Sequence, residues 1–321
     1  MTATNPPTPP DSGSMPVLEL EDLAAVDGPL HLALGVFDGV HLGHQAVIAK
    51  AVDAAAREGG RAGVLTFEPH PIRVIAPAKA PASLLATLHH KAEIIAGLGA
   101  PLLLALRFDM KLAQLEAAEF VSSLMKADIR TLAVGEDWRF GHHRSGDIDL
   151  LRDLSAKHGF RLEAVPPVML DGDRISSTRI RQAIRDGNLD DAARMLGRSY
   201  SVTGPVIEGK KLGREIGFPT ANVTTGDAQL PPDGVWTADI RLDAQPVLHG
   251  VANLGIRPTV DGTTRMLEIH ILDFTGDLYG QEIEVTFHRM IRHERKFESI
   301  EALKSQITRD VALAREGLAR L

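Results

Sequence analysis

Gly35-Val36-Phe37-Asp38-Gly39-Val40-His41-Leu42-Gly43-His44 is the stretch whose reading decides the fold. An apolar run over residues 30–37 leads into it as a strand. The residues that follow place Val47, Ile48, Ala51, Val52 and Ala55 on one helical face, which stops at Gly59-Gly60. A strand that enters a helix through glycines presents unpaired backbone N–H groups and the positive end of the helix dipole, a setting suited to a phosphate chain. His41 and His44 stand three residues apart on the opening turn and share a side, where they can donate hydrogen bonds to charge developing on a phosphoryl oxygen. Capping the helix, or filling a polar niche, is the plainer role for the pair. A metal site would need a third ligand at sensible spacing, and none stands nearby.

Working outward, apolar runs over 62–67, 102–106, 131–135 and 162–166 alternate with helical stretches over 84–98, 115–125 and 148–158. That is the pattern of strands and crossover helices around a parallel sheet. Short helices are expected over 178–185 and 189–196, on either side of Gly187-Asn188. The period then changes. Strand-like runs over 200–207, 235–242, 248–253, 266–272 and 283–287 are separated by Gly, Pro and Asp turns without crossover helices. They predict an antiparallel β-barrel closed by a helix from about 299 to 318. Residues 1–15, rich in Pro, Thr, Ser and Asn, have little to bury and are expected to form a disordered tail. The domains are therefore placed at 16–187 and 188–321.

The 321 residues suffice for two domains, and 44% hydrophobic with 24% charged residues is an ordinary globular balance. A net charge of −7 argues against a chain devoted to nucleic acid or to an anionic membrane. Without cysteine, disulfides, thiolate catalysis and Cys-ligated metals are excluded. No run approaches a membrane span, and the first residues lack the basic and apolar regions of a signal peptide. A cytoplasmic protein is expected, a monomer or weak oligomer with no nucleic-acid or membrane partner.

A second anion-binding stretch is Lys210-Lys211-Leu212-Gly213-Arg214-Glu215-Ile216-Gly217-Phe218-Pro219-Thr220-Ala221-Asn222. Gly209, Gly213 and Gly217 recur every four residues and permit a backbone loop to wrap phosphates, although this is not the P-loop spacing. Thr220 and Asn222 lie two apart, so on a strand they face one side and suit Mg²⁺ held jointly with phosphate. A solvated hairpin is the alternative for such a Gly/Lys/Arg stretch. In the first half, Ser176 and Ser177 precede an Arg-bearing helix, which makes another anion site or a simple cap.

The first stretch resembles the His-x-Gly-His nucleotidyltransferase motif, and its longer form is similar to that of prokaryotic bifunctional riboflavin kinase/FAD synthetases. Further segments match in order: Thr66-Phe67-Glu68-Pro69-His70-Pro71, Val134-Gly135-Glu136-Asp137-Trp138-Arg139-Phe140-Gly141 and Ile175-Ser176-Ser177-Thr178-Arg179-Ile180-Arg181. In the second half, the run from Gly209 to Asn222, Val251-Ala252-Asn253-Leu254-Gly255-Ile256-Arg257-Pro258-Thr259 and Leu267-Glu268-Ile269-His270-Ile271-Leu272-Asp273-Phe274 resemble riboflavin kinases.

The resemblance implies an N-terminal Rossmann-like nucleotidyltransferase domain and a C-terminal β-barrel kinase domain, with riboflavin, FMN, FAD and ATP as partners and Mg²⁺ as cofactor. It implies that His41 and His44 hold the ATP phosphates, that Gly35, Phe37 and Gly43 shape the nucleotide site, and that Asp137 helps place FMN. Ser177, Thr178 and Arg181 would close on the triphosphate. In the kinase half, Gly209, Gly213 and Arg214 would bind ATP, Thr220 and Asn222 the metal, and Glu268 would take the proton from the riboflavin 5′-hydroxyl. An alcohol attacking a γ-phosphate needs such an acceptor within hydrogen-bond reach. Trp138 and Trp236 stand where the family favours Phe and Tyr, Trp236 as a flavin-facing or a core aromatic. Two other readings compete: a nucleotidyltransferase for another phosphorylated acceptor, which Glu268 and the Pro-Thr-Ala-Asn tetrad speak against, and a flavin sensor without activity.

Overall fold

The computed structural model describes residues 16–209, 212–242, 245–259 and 262–318. The expected tail over 1–15 and the Lys210-Lys211 pair lie outside these residues.

The chain forms two compact units. The first comprises residues 16–37, 45–80 and 88–166. Its elements in chain order, with α1 opening in the 38–44 segment, are β1 Val17–Leu18, β2 Leu30–Leu34, α1 Leu42–Glu58, β3 Arg61–Glu68, α2 Pro71–Ile75, α3 Leu88–Gly97, β4 Leu102–Arg107, α4 Met110–Ala113, α5 Ala117–Leu124, β5 Ile129–Gly135, α6 Ile148–His158 and β6 Arg161–Val165. The six strands pair in parallel in the order β1-β4-β3-β2-β5-β6. β2 is buried along its whole length and β3 through its six inner residues, as expected for strands covered on both faces. Helix ends follow local chemistry. Asp147 caps α6 by accepting from Asp149 N and Leu150 N, and Gly159 ends it at φ 79°.

The second unit comprises residues 38–44, 81–87 and 167–318. After the small ribbon β7 Met169–Leu170 and β8 Asp173–Arg174 come α7 Ser177–Arg185 and α8 Leu189–Leu196. Then follow β9 Ser201–Ile207, α9 Leu212–Glu215, β10 Ala221–Val223, β11 Gly234–Arg241, β12 Leu248–Thr259, β13 Gly262–Ile271, β14 Glu282–His293 and α10 Ile300–Leu318. The strands close into an antiparallel barrel in the order β10-β13-β12-β11-β14-β9. Alternation decides which side chains fill it: Ile283, Val285 and Phe287 of β14 are buried while their neighbours are not. One apolar cluster joins these residues to Ile180 and Ile184 of α7 and to Leu189 and Leu196 of α8. On the barrel's outer surface α10 covers Val235, Val251 and Leu272 through Ala314. Arg292 of β14 fastens that helix at 2.8 Å from the buried Asp310.

The parallel sheet, the antiparallel barrel and the closing helix agree with the sequence reading, while several boundaries differ. The helix expected over 84–98 begins only at Leu88, because Leu84 is drawn into a parallel bridge with Ala228 and Leu85 N donates to Asp38. The strand expected over 30–37 ends at Leu34, since Phe37 at φ 53°, Gly39 at 81° and Val40 at 44° turn the chain out of the extended region. β12 and β13 extend toward each other past Asn253 and Met266 to Thr259 and Gly262.

Candidate active sites

The glycine–histidine turn of residues 38–44 is held by the buried Arg181 and the half-buried Arg198. Asp38 is buried, accepts from Leu85 N at 2.8 Å and forms an ion pair with Arg181 of α7. Arg181 also donates through Nε to Ser83 O at 2.9 Å. Its guanidinium thus grips the root of the turn. Arg198, just beyond α8, donates to Gly39 O at 2.9 Å and to Val40 O at 3.2 Å. Ser177, the first residue of α7, donates its hydroxyl to Asp38 O at 2.9 Å. Ser176 caps that helix by accepting from Arg179 N. Thr178 is exposed beside Ser177.

His41 and His44 stack with centroids 3.5 Å apart and planes 16° from parallel. Gly43 makes this possible, since a Cβ there would stand 3.1 Å from His41 Cε1. His44 N donates to His41 Nδ1 at 3.3 Å, so the neutral His41 ring carries its proton on Nε2 and can donate it. Burial, then the nearby charge of Arg174, then that of Arg198, push the His41 pKa down to about 4. The ring is therefore a neutral donor at pH 7, in a field made positive by two guanidinium groups. Burial also lowers Arg198 to about 10, which leaves it cationic.

The parallel-sheet unit supplies the remaining first-half residues. β2 and β5 are adjacent, with Ala33 opposite Ala133, so Gly35 and Gly135 leave the sheet at the same edge. Ligands of open parallel sheets bind at this edge. The Phe37 ring folds over Gly35, where a Cβ would lie 3.3 Å from its edge. Val36 O is fixed by Lys91 Nζ at 3.0 Å and Thr66 Oγ1 at 2.9 Å. Asp137 is exposed, with Oδ1 3.2 Å from where a Cβ on Gly135 would be. Trp138 stacks on Phe140 at 4.4 Å and 9°, which packs it against the core.

On the barrel, Glu268 of β13 stands directly opposite Asn222 of β10 on one side and Asn253 of β12 on the other. Leu267 and Ile269 point inward, so the Asn222–Glu268–Asn253 row lies on the outer surface. A Cβ on Gly209 would overlap the Asn222 amide, and one on Gly213 would overlap Phe218 O and come within 3.2 Å of Thr220 Oγ1. The two glycines thus keep room around the Thr220 and Asn222 oxygens. His270 Nδ1 bonds Pro219 O at 2.8 Å and its ring meets Phe218 edge-on at 5.5 Å, which fastens the approach to Thr220 onto β13. Arg214 is exposed on α9. Trp236 is a core aromatic: it is 2% exposed, donates Nε1 to Pro232 O at 3.0 Å and meets Phe287 edge-on.

The structure thus gathers His41, Gly43, His44, Ser177 and Arg181 around one turn, Gly35 with Phe37 and Asp137 at one sheet edge, and Gly209, Gly213, Thr220, Asn222 and Glu268 on one barrel face. Sequence reasoning missed Asp38 as an anchor, Arg174 and Arg198 as charges near His41, and Asn253 beside Glu268. Asp38 and Asn253 lay within quoted segments, but their roles depend on ion pairing and register. Arg198 carried no local signal.

Comparison with known proteins adds an independent line. Residues 24–179 match the family model described as FAD synthetase, and residues 196–318 that described as riboflavin kinase. A Pseudomonas fluorescens protein named bifunctional riboflavin kinase/FMN adenylyltransferase is 43% identical over 285 residues, covering 88% of this chain and 91% of its own length. The Escherichia coli protein of the same name is 42% identical over 287 residues, covering 89% and 91%. A crystal structure from Streptococcus pneumoniae, described as a macrolide-efflux protein, is 30% identical with a TM-score of 0.80 over 93% of this chain and 98% of that one. Among the described residues of this chain, no helix is long and apolar enough to cross a membrane.

Proposed function

The chain belongs to the bifunctional riboflavin kinase/FMN adenylyltransferase family, and from that premise we propose how its residues divide the two reactions. It phosphorylates riboflavin to FMN with ATP, and it transfers the adenylyl group of a second ATP to FMN, giving FAD and pyrophosphate.

In adenylyl transfer a phosphate oxygen of FMN attacks the α-phosphate of ATP, so no side chain need be a nucleophile. Catalysis is positioning plus stabilisation of the charge that spreads onto the phosphoryl oxygens. His41 offers Nε2–H to that charge, and His44 acts beside it. Gly43 keeps their stack open, while Ser177 and Thr178 meet the polyphosphate at the start of α7. Arg181 positions the turn through Asp38 rather than binding phosphate directly. Gly35 and Phe37 serve the nucleotide and Asp137 serves FMN. The observation that carries this half is the stacked histidine pair, with the His41 ring kept neutral by burial and by the charges of Arg174 and Arg198.

In the kinase reaction the riboflavin 5′-hydroxyl attacks the γ-phosphate of ATP, the bond to the β-phosphate breaks and ADP leaves. Glu268 accepts its proton, standing in register between Asn222 and Asn253 on the neighbouring strands. Gly209 and Gly213 let phosphates approach the backbone, and Arg214 reaches them from α9. Thr220 and Asn222 present hard oxygen donors in a cradle that a Cβ on Gly209 or Gly213 would fill; they fit Mg²⁺, which when bound would neutralise phosphate charge. The assignment extends to domains at 16–187 and 188–321, a cytoplasmic location and a monomer or weak oligomer, working on small molecules rather than nucleic acid or membrane. The test is purified protein with riboflavin, ATP and Mg²⁺, with chromatography of the products from wild type, Glu268→Ala and His44→Ala. Each variant should lose only its own step.

A further inference from the structure

We infer that Arg198 is a positioning residue for adenylyl transfer, although it lies in the segment that matches riboflavin kinase. The inference rests on reading the 38–44 turn as the ATP phosphate site. Gly39 and Val40, the two residues before His41, both adopt positive φ, 81° and 44°. For Val40, a β-branched residue, that region is sterically disfavoured and persists only where its surroundings enforce it. The enforcing group is visible: one guanidinium donates to both carbonyls, Nη2 to Gly39 O at 2.9 Å and Nη1 to Val40 O at 3.2 Å. Its Nη1 also reaches Leu196 O at 3.4 Å, at the end of α8. Arg198 therefore ties the strained half of the turn to the helix pair, as Arg181 ties the other half through Asp38.

Two further observations separate this from a general packing role. The hydrogen bonds of Arg198 run to Gly39, Val40 and Leu196 rather than to Thr220, Asn222 or Glu268, and its charge is among those that keep His41 neutral. It also lines a cavity of about 290 Å³ with Ser201, Asp239, Arg241, Glu284 and Thr286. That cavity is large enough to admit a free guanidinium ion in place of a missing side chain. Loss of the side chain should let the turn relax and move His41 Nε2 off line. The defect then falls on the transition state rather than on substrate binding.

The test uses the full chain with Arg198→Ala and Arg198→Lys. Arg198→Ala should lower kcat for FAD formation from supplied FMN by about 100-fold, with KM for ATP and FMN within about threefold. FMN formation from riboflavin should stay within about twofold of wild type, because the kinase row is untouched. Arg198→Lys, with its charge but no fork, should fall between. Millimolar guanidinium should restore FAD formation in Arg198→Ala and do nothing for His44→Ala. Unchanged FAD formation in Arg198→Ala, with His44→Ala inactive, would overturn the inference and spare the site reading. Full FAD formation by His44→Ala would sink the site reading itself. Parallel loss of both activities in both Arg198 variants would show a merely structural residue and also overturn the inference.

Discussion

Removing the Asp38 carboxylate should unfold the barrel unit at much lower denaturant. The Asp38 and Arg181 side chains are only 5% and 9% exposed, so their ion pair is largely shut off from water. Asp38→Ala leaves the guanidinium buried with its bond to Ser83 O but without a carboxylate, and takes the acceptor from Leu85 N. Breaking a buried pair from one side costs about 3 to 5 kcal/mol, and an orphaned N–H adds to that, so a loss of about 4 kcal/mol is expected. With a urea slope of about 2 kcal/mol per M, the midpoint should drop by about 2 M. Asp38→Asn keeps an acceptor for Leu85 N and should lose about 1 kcal/mol less. The chain has two tryptophans, and a Trp138→Phe background leaves Trp236, which shares a cluster with Leu85 and Ile180, as the reporter of this unit. Adding Arg181→Met to Asp38→Ala should recover part of the loss, because no buried charge is then left uncompensated. A midpoint for Asp38→Ala within about 0.3 M of its parent would refute the claim that the pair anchors the turn.

Glu268→Ala should block FMN formation while FAD formation from supplied FMN continues, and His44→Ala should do the reverse; product chromatography reads both, and loss of both steps in either folded variant would contradict the division. When folded, His41 takes up its second ring proton only near pH 4, against 6.5 as the ordinary value. Between those values the unfolded chain binds a proton that the folded chain does not. Stability should therefore fall as pH drops from about 6.5 to about 4, by on the order of 3 kcal/mol, and be unaffected by this group above pH 7. His41→Gln should flatten that part of the pH profile in urea titrations. Gly213→Ala should lower kinase activity about 100-fold without touching FAD formation from FMN, since its methyl would overlap Phe218 O and push Thr220 aside.

The sequence spoke most clearly where one local rule sufficed. Buried strands such as β2 and β3 are near-continuous apolar runs, and the change to short strands without crossover helices announced the barrel. Glycine spacing likewise pointed to both phosphate-like turns, and the structure shows what the glycines do: Gly43 leaves room for the histidine stack, and Gly213 for the Phe218 carbonyl. What stayed hidden depends on contacts between distant residues. Leu84 and Leu85 read as helix because their apolar pattern fits one, yet Asp38 and Ala228 hold them extended. The pairing of Arg181 with Asp38 was likewise hidden, because the two residues lie 143 positions apart in the chain. Arg198 follows a helix-ending glycine with no periodic signal. Asn253 becomes a neighbour of Glu268 only through the register of β12 and β13.

Titrating the protein calorimetrically with a non-hydrolysable ATP analogue in the presence of Mg²⁺ probes the two-site account most directly. Two molecules should bind per chain, with Thr220→Ala/Asn222→Ala abolishing one event and His41→Ala/His44→Ala the other. A stoichiometry of one per chain at saturation, or a single double variant that removes all binding from a folded protein, would contradict it.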